Sequence, residues 1–302
     1  MSKQAFRTGT VAIVGRPNVG KSTLMNQLVG AHVAITSRKA QTTRHRINGL
    51  LTNSDTQFIF VDTPGFQTRH TNVLNKRMNR TVQQVLSEVD VIVMVVEAWA
   101  PDERDEPVFE MLPDKVPVIL ALNKVDRIKD REKFAHVLAT WGARRDWAAL
   151  VPVSAEKGTQ TKALLYEIRK LLPEAPPIFD ADDITDRSER FLAAELVRER
   201  VFRLLGDELP YSTAVVIESF ETEPSPQTPE GFRRIHATIF VDRDSHKAIV
   251  IGEKGASLKR IGTEARHAME ALFGGKVHLE IWVRVKGGWA DSEKMLQQFG
   301  YE

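Results

Sequence analysis

The stretch GRPNVGKS occupies residues 15–22 and matches the pattern G-x-x-x-x-G-K-[ST]. It follows the apolar run TVAIV (10–14), which predicts a buried strand, and it leads into a segment with helical spacing. Glycines in this pattern let backbone N–H groups turn inward around phosphates, where the start of a helix adds positive potential. Lys21 is expected to reach the β- and γ-phosphates, and the Ser22 hydroxyl is expected to hold Mg²⁺. The predicted nucleoside triphosphate site contains Gly15, Arg16, Pro17, Asn18, Val19, Gly20, Lys21, Ser22 and Thr23.

A second motif, VDTPG (61–65), ends the apolar run QFIFVD (57–62). Asp62 stands at the carboxyl end of this predicted strand, where its carboxylate can act on Mg²⁺ through a water molecule. Glycine permits close approach of the backbone, so the Gly65 N–H can contact a γ-phosphate. GRPNVGKS and VDTPG together predict catalytic roles for Lys21, Asp62 and Gly65.

Two further motifs indicate which base is bound. NKVD (123–126) ends the run PVILALNK, and Asp126 can accept two hydrogen bonds from the N1–H and N2–H₂ groups of guanine. Adenine offers no such pair of donors. Asn123 and the stem of Lys124 are expected to fix and cover the ring. SAEKG (154–158) begins with Ser154, and its Ala155 N–H can donate to guanine O6. The four motifs GRPNVGKS, VDTPG, NKVD and SAEKG together predict GTP and GDP as ligands.

The first part of the chain alternates short apolar runs with helical patterns. Continuous Val, Ile and Leu runs are typical of strands buried on both faces of a parallel sheet. INGLLTN (47–53) lies close before QFIFVD and predicts a hairpin, which adds one antiparallel strand. We therefore predict an α/β P-loop domain over residues 1–172, with a mostly parallel sheet and helices on both faces.

The pattern changes after residue 172. Residues 173–187 are rich in proline and acids, a composition typical of a linker. Residues 188–302 then follow the order α-β-β-α-α-β, which predicts a smaller α+β domain. The proline-rich ETEPSPQTPEG (221–231) is expected to be a loop between its first two strands.

A second glycine loop, GEKG (252–255), lacks the G-K-[ST] step and cannot hold a nucleotide as the first loop does. G-x-x-G between two helices resembles the type II KH pattern, in which the loop clamps the backbone of single-stranded nucleic acid. Residues 231–290 hold 11 Lys and Arg against 6 Asp and Glu, so this region is basic. The expected RNA contacts are Ile249, Val250, Ile251, Gly252, Glu253, Lys254, Gly255, Lys259 and Arg260. Further candidates are Trp282, Arg284, Lys286 and Trp289, with covering of the sheet as the alternative role of Trp282.

Composition excludes several classes of protein. The chain has 302 residues, a formal net charge of +2 and no cysteine, which excludes disulfides, thiolate chemistry and cysteine metal sites. No apolar run approaches the roughly 18–20 residues that a membrane span needs. We predict a cytoplasmic monomer, with peripheral contact at the cytoplasmic face of the membrane left open.

The motifs GRPNVGKS, QTTRH (41–45) and DTPGF (62–66) resemble those of the Era/Der/MnmE group of bacterial GTPases. That resemblance implies that a threonine of the QTTRH loop joins the Mg²⁺ shell and acts in catalysis, by position Thr43 or, alternatively, Thr42. It also implies that an asparagine at Asn18 can hold K⁺. Phe66 stands where Ras-like proteins carry the glutamine that orients water, so slow intrinsic hydrolysis is expected.

A GTPase domain followed by a type II KH domain, over essentially the whole chain, resembles the Era family. The resemblance implies recognition of the 3′ end of small-subunit ribosomal RNA and a role in assembly of the small ribosomal subunit. The basic segment SRKAQTTRHR (37–46) is interpreted either as a solvated face or as a nucleotide-dependent RNA contact. The alternative function is a membrane- or protein-directed GTPase switch whose KH-like domain binds no RNA.

Overall fold

The computed structural model divides the chain into two compact units. The first holds residues up to 34, 43–64 and 75–186, and the second holds 35–42, 73–74 and residues from 187 onward. The structure describes residues 5–37, 39, 42–64, 73–99, 102–206, 209–225, 228–289 and 292–299.

The first unit is built on one six-stranded sheet in the order β2-β3-β1-β4-β5-β6. Only β2 runs antiparallel, against β3, and the other neighbours are parallel. This arrangement confirms the predicted fold class and the single antiparallel strand. Its elements are β1 (Arg7–Val14), α1 (Lys21–Val29), β2 (Ile47–Thr52), β3 (Thr56–Asp62), α2 (Val73–Glu88), β4 (Val91–Glu97), α3 (Glu106–Phe109), β5 (Val118–Asn123), α4 (Arg131–Gly142), β6 (Ala149–Pro152) and α5 (Thr161–Leu171).

Burial explains why these segments form strands. Every residue of β3 and β5 is buried, as expected for strands covered on both faces. Because parallel strands end at the same edge of a sheet, the carboxyl ends of β1, β3 and β5 lie together. The three motifs that follow those strands are therefore placed at one edge.

The segment predicted as a linker packs along the first unit. Gln57 is fully buried, and its side-chain oxygen accepts from the N–H groups of Ile178 (2.7 Å) and Phe179 (3.0 Å). Further along, the Leu50 N–H donates to the carbonyl of Ile184 at 2.9 Å. These bonds give the acidic segment a fixed path, which a proline-rich composition alone does not predict.

The second unit follows the predicted order α-β-β-α-α-β and adds a short final helix. Its three strands lie in the order β7-β8-β9, with β7 antiparallel and β9 parallel to β8. This topology confirms the predicted α+β domain of type II KH form. Its elements are α6 (Glu189–Leu204), β7 (Thr213–Ser225), β8 (Thr228–Val241), α7 (Asp244–Ile251), α8 (Ala256–Phe273), β9 (Lys276–Val285) and α9 (Glu293–Gln298).

Two predictions for the second unit are wrong. Residues 221–225 and 228–231 extend β7 and β8, with Glu221 opposite Arg234, instead of forming a loop. The strand register shifts between Glu223 and Ser225, so the intervening proline sits at an irregularity, where strands tolerate it. Trp289 is fully buried and donates its Nε1–H to the carbonyl of Ser212 at 3.1 Å, so it is a core residue instead of an RNA contact.

None of the helices among the described residues combines the length and the hydropathy that a membrane-spanning helix requires. The peripheral membrane contact and the monomeric state stay predictions.

Candidate nucleotide site and RNA groove

The loop between β1 and α1 has the backbone that a phosphate cradle requires. Gly20 caps α1 with a φ of 102°, and a side chain there would place its Cβ 2.3 Å from Nδ2 of Asn123. At Gly15, a Cβ would lie 2.4 Å from the carbonyl oxygen of Val95. Both positions exclude any larger residue, because each has a positive φ and an added Cβ would lie too close to a neighbouring atom.

Lys21 lies buried beneath this loop. Its Nζ donates to the carbonyls of Gly15 (2.8 Å) and Arg16 (3.0 Å). Burial lowers the pKa of Lys21 to about 8, and the nearby charge of Asp62 partly opposes that shift. An ammonium group held by neutral carbonyls in a buried loop favours an anion beside it, and the phosphates of a nucleotide supply one.

Three oxygen-bearing side chains meet at the start of α1. Asp62 Oδ2 accepts from the Ser22 hydroxyl at 2.7 Å and from the Thr43 hydroxyl at 3.1 Å, and the two hydroxyl oxygens are 3.0 Å apart. Thr42 lies outside this group, because its hydroxyl bonds to Ser37 (2.6 Å) and to the Lys39 carbonyl (2.7 Å). The geometry therefore favours Thr43 of the two threonines.

These residues fit a magnesium ion. Asp62 is fully buried, and its Oδ1 has no hydrogen-bond partner among the described residues. Burial raises the pKa of Asp62, while the charge of Lys21 and the bonds from Ser22 and Thr43 lower it. An unsatisfied carboxylate oxygen beside two hydroxyls matches the oxygen ligands that Mg²⁺ prefers. Gly65 and Phe66 lie outside the described residues.

Asn123 joins the base motif to the phosphate loop. Its Nδ2 donates to the carbonyl of Val19 at 2.7 Å, and its Oδ1 accepts from the backbone N–H of Lys124 (2.8 Å) and of Ala155 (2.9 Å). The Ala155 N–H thus bonds to Asn123 in this structure, where the sequence predicts a bond to guanine O6. The Val19 side chain is fully buried in the core, so only the backbone of this residue is available to a ligand.

Asp126 is oriented by a neighbouring motif. Its Oδ1 accepts from the hydroxyl of Ser154 at 2.5 Å, which fixes the carboxylate at the edge where the strands end. Lys124 adopts a left-handed φ of 70°, and its Nζ donates to the carbonyl of Asn18 at 2.9 Å. Asn123 and Lys124 of NKVD are thus bonded to the phosphate loop, and Ser154 of SAEKG orients Asp126.

In the second unit, a groove of about 420 Å³ lies between α8 and β9 beside the GEKG loop. Apolar side chains and cationic side chains share its lining, so it offers surfaces for both bases and phosphates. Lys254 of the loop is exposed, with a φ of 49°, and Gly252 is so close to Ser257 that a Cβ would approach its Cβ to 2.6 Å. The groove is lined by Gly255, Leu258, Lys259, Gly262, Thr263, Arg266, Leu279 and Ile281.

Comparisons with known proteins cover both units. A family model described as a 50S ribosome-binding GTPase matches residues 10–124, and a KH domain model matches residues 208–290. GTPase Era of Nitrosomonas eutropha is 53% identical over 302 residues, the full length of this chain and of that protein.

The chain belongs to the Era family of GTPases.

Solved structures of Era agree with this assignment. An Aquifex aeolicus Era variant bound to GDP and AlF₄⁻ is 39% identical, with a TM-score of 0.91, and the match covers 98% of this chain and 99% of that one. An Era in complex with MgGDPNP and nucleotides 1506–1542 of 16S ribosomal RNA matches with the same identity, TM-score and coverage. Membership of the Era family confirms the predicted resemblance, the two-domain fold and the GTPase activity.

Sequence reasoning missed one group in the nucleotide site of this Era chain. Glu97, at the end of β4, accepts hydrogen bonds from Arg16 of the phosphate loop and from Lys124 of NKVD. Burial acts to raise the pKa of Glu97, but these two bonds outweigh it and lower the pKa. Arg16 also pairs with the buried Asp105 at 3.0 Å. The available signal was an acid at the carboxyl end of a buried strand, Glu97 in VIVMVVE.

Burial corrects the predicted RNA contact of Val250 on α7, whereas the contacts predicted for the exposed Ile249 and Arg260 stay predictions. Val250 is fully buried in the core, so its side chain cannot touch RNA, and Ile251 packs partly against the same core. Ile249 is exposed, but it does not line the groove. Arg260 pairs with Glu264 at 2.9 Å on another face of α8. The groove residues recur along α8 at helical spacing, and that periodicity could have identified them.

The basic segment 37–46 of this Era chain is engaged within the protein. Lys39 donates to the carbonyls of Leu205 and Gly206. Arg44 is buried, and Arg46 pairs with Glu88 at 3.5 Å. Neither a solvated face nor an RNA contact, the two interpretations of this segment, accounts for the contacts and burial of these three residues within the protein. Arg38 lies outside the described residues.

Proposed function

We propose that this GTPase is a nucleotide-controlled RNA-binding switch that recognises the 3′ end of small-subunit ribosomal RNA and assists assembly of the small ribosomal subunit. The observation that carries the proposal is the groove beside GEKG, where Lys259 and Arg266 flank the apolar Leu279 and Ile281. An Era relative holds nucleotides 1506–1542 of 16S ribosomal RNA, which supports the same class of ligand here. A ribosomal partner would place the protein in the cytoplasm.

In the nucleotide site, each side chain has a role that follows from its position. The backbone N–H groups of residues 18–22 and the Lys21 ammonium bind the phosphates; Pro17 has no N–H to donate. Asp126, oriented by Ser154, accepts the guanine donors. Asn123 ties the base motif to the cradle, so base and phosphates are held in one geometry.

Ser22, Thr43 and Asp62 would hold Mg²⁺, Asp62 through a water molecule. When bound, the ion supplies positive charge that offsets the charge of the phosphates during hydrolysis. The MgGDPNP in an Era relative supports magnesium as the ion. Gly65 would contact the γ-phosphate, and the phenylalanine after it cannot orient water, so slow intrinsic hydrolysis is part of the proposal.

We further propose that Asn18 binds K⁺ as a second cation. The residue adopts a left-handed φ of 67°, which asparagine tolerates better than most residues. Its carbonyl accepts from Lys124, which fixes the backbone at this point of the loop. The proposal rests on this position in the phosphate loop and on the resemblance to K⁺-dependent relatives.

A groove-filling variant tests the RNA assignment. A Cβ added to Gly262 would stand 3.6 Å from Ile281, so alanine fits, whereas the longer side chain of Gly262→Leu extends into the groove. We expect Gly262→Leu to abolish binding of single-stranded RNA and to leave GDP affinity unchanged, with Gly262→Ala intermediate. Unchanged RNA affinity in a folded Gly262→Leu protein would overturn the groove as the RNA site.

A further inference from the structure

Glu199 is a fully buried carboxylate of α6 that takes no part in the nucleotide site. Its Oε1 accepts from the backbone N–H of Thr36 at 2.8 Å and from the Thr36 hydroxyl at 3.2 Å. A buried carboxylate is costly unless it is paired and hydrogen-bonded. Its bonds to a loop far away in sequence therefore indicate a specific attachment.

Arg203, one helical turn after Glu199, completes the attachment. Its Nε donates to the carbonyl of Thr36 at 2.9 Å, and its Nη2 donates to the Thr36 hydroxyl at 2.6 Å. Arg203 also pairs with Glu199 at 2.8 Å. The N–H, the carbonyl and the hydroxyl of Thr36 are thus all bound by one turn of α6.

A second attachment lies three residues further along the loop. Lys39 Nζ donates to the carbonyls of Leu205 and Gly206, which follow the last turn of α6. Carbonyls at the end of a helix lack partners within the helix, and cations stabilise them. Lys39 therefore serves as a cap that ties the loop to α6 again.

The attached loop leads directly to the predicted magnesium ligand. Residues 35–42 group with the second unit, whereas Thr43 groups with the first and bonds to Asp62. An extended chain spans at most about 3.6 Å per residue, so the four steps from Lys39 to Thr43 reach no further than roughly 14 Å. The Thr42 hydroxyl shortens this path by bonding to the Lys39 carbonyl at 2.7 Å.

We propose that Glu199 and Arg203 are positioning residues that hold Thr43 at the magnesium site. The inference rests on the proposed role of Thr43 as a magnesium ligand in the triphosphate-bound state. A free loop must lose conformational entropy each time Thr43 enters the site, whereas an attached loop has lost part of it already. The attachment therefore favours the triphosphate over the diphosphate, without either residue touching the nucleotide.

The test compares nucleotide affinities of the full-length chain. Glu199→Gln keeps the shape of the side chain but removes the charge that pairs with Arg203 at 2.8 Å and with Arg200 at 3.4 Å. We expect affinity for a non-hydrolysable GTP analogue with Mg²⁺ to fall about tenfold, within the range typical of coupled sites, while GDP affinity changes less than about twofold. Hydrogen exchange should become faster in peptides covering residues 36–43.

Two further variants distinguish a positioning role of Glu199 from general misfolding. Thr36→Val removes only the loop hydroxyl and should lower the analogue-to-GDP affinity ratio in the same direction. Glu195→Gln alters another buried acid of α6, which binds Arg198 of the same helix at 2.6 and 2.7 Å, and should leave the ratio unchanged.

Equal loss of both nucleotides in Glu199→Gln, or an unchanged ratio in a folded Thr36→Val protein, would overturn the positioning role. Failure of the unsubstituted chain to bind the GTP analogue would instead count against the proposed nucleotide function.

Discussion

Asn123 donates a hydrogen bond to the main-chain carbonyl of Val19 over 2.7 Å, and this bond joins the base motif to the phosphate loop. Asn123 is almost fully buried, so loss of its amide leaves a carbonyl and two backbone N–H groups without these partners. An unsatisfied buried group costs about 1–3 kcal/mol. We expect Asn123→Ala to weaken GDP binding by at least tenfold, measured by calorimetry. Unchanged GDP affinity in the folded variant would mean that the bond does not organise the site.

Gly20→Ala should disrupt the contact between the phosphate loop and Asn123. The added Cβ would approach Asn123 Nδ2 to 2.3 Å at a φ of 102°, which combines a steric clash with backbone strain. We expect loss of nucleotide binding together with a lower melting temperature. Gly30→Ala is the matched control, because Gly30 also has a positive φ, of 81°, but nothing lies within 4 Å of its added Cβ. That variant should lose stability, by about 1 kcal/mol, and keep its nucleotide affinity.

Asp126→Asn should change the preferred base. An amide cannot accept both guanine hydrogen bonds, whereas its N–H₂ can donate to the O2 of xanthine. We expect GDP affinity to fall at least about 100-fold and xanthosine diphosphate to become the better ligand in competition binding. Asp130→Asn provides a control for the same chemical change, because Asp130 caps α4 and asparagine caps equally well. A parallel fall in that variant would show that the effect is not specific to the base.

Local sequence patterns encode the sheet of the first unit and its nucleotide edge, whereas tertiary packing decides which distant side chains meet there. Buried apolar runs ended by GRPNVGKS, VDTPG and NKVD were enough to predict the parallel sheet and the edge that holds the nucleotide. Glu97 was missed because its role depends on two side chains, Arg16 and Lys124, that are distant in sequence.

The RNA surface was harder to predict for a related reason. A strand or helix pattern does not say which neighbouring element covers a side chain. Val250 and Trp289 are both apolar and near the glycine loop or the basic strand, yet both are core residues. By contrast, the groove depends on α8 and β9 lying side by side, which only the tertiary fold establishes.

Potassium should accelerate hydrolysis if Asn18 holds this ion. We expect a higher rate of GTP hydrolysis in KCl than in NaCl at equal ionic strength. Asn18→Gly keeps access to the left-handed backbone and removes the side-chain amide, so it should abolish the difference between the two salts. Equal rates of the unsubstituted protein in both salts would contradict the K⁺ assignment.

Lys254 and Lys259 should contribute to RNA affinity through phosphate contacts. For a single strand, each phosphate contact adds roughly 0.7 to the negative slope of log affinity against log salt. We expect Lys254→Gln and Lys259→Gln each to reduce the slope by about that amount. Lys133→Gln is the matched control, since Lys133 is an exposed lysine of α4 outside the groove. Equal effects from all three variants would indicate general charge attraction instead of a defined site.

RNA binding controlled by the nucleotide is tested most directly by titrating the full-length chain with a single-stranded RNA that matches the 3′ end of small-subunit ribosomal RNA. The titration is performed once with a GTP analogue and Mg²⁺ and once with GDP. A nucleotide-controlled RNA-binding switch predicts saturable binding with a steep negative salt slope, and tighter binding with the GTP analogue than with GDP. Absence of single-stranded RNA binding with both nucleotides would contradict it and favour a GTPase switch whose KH-like domain serves another partner.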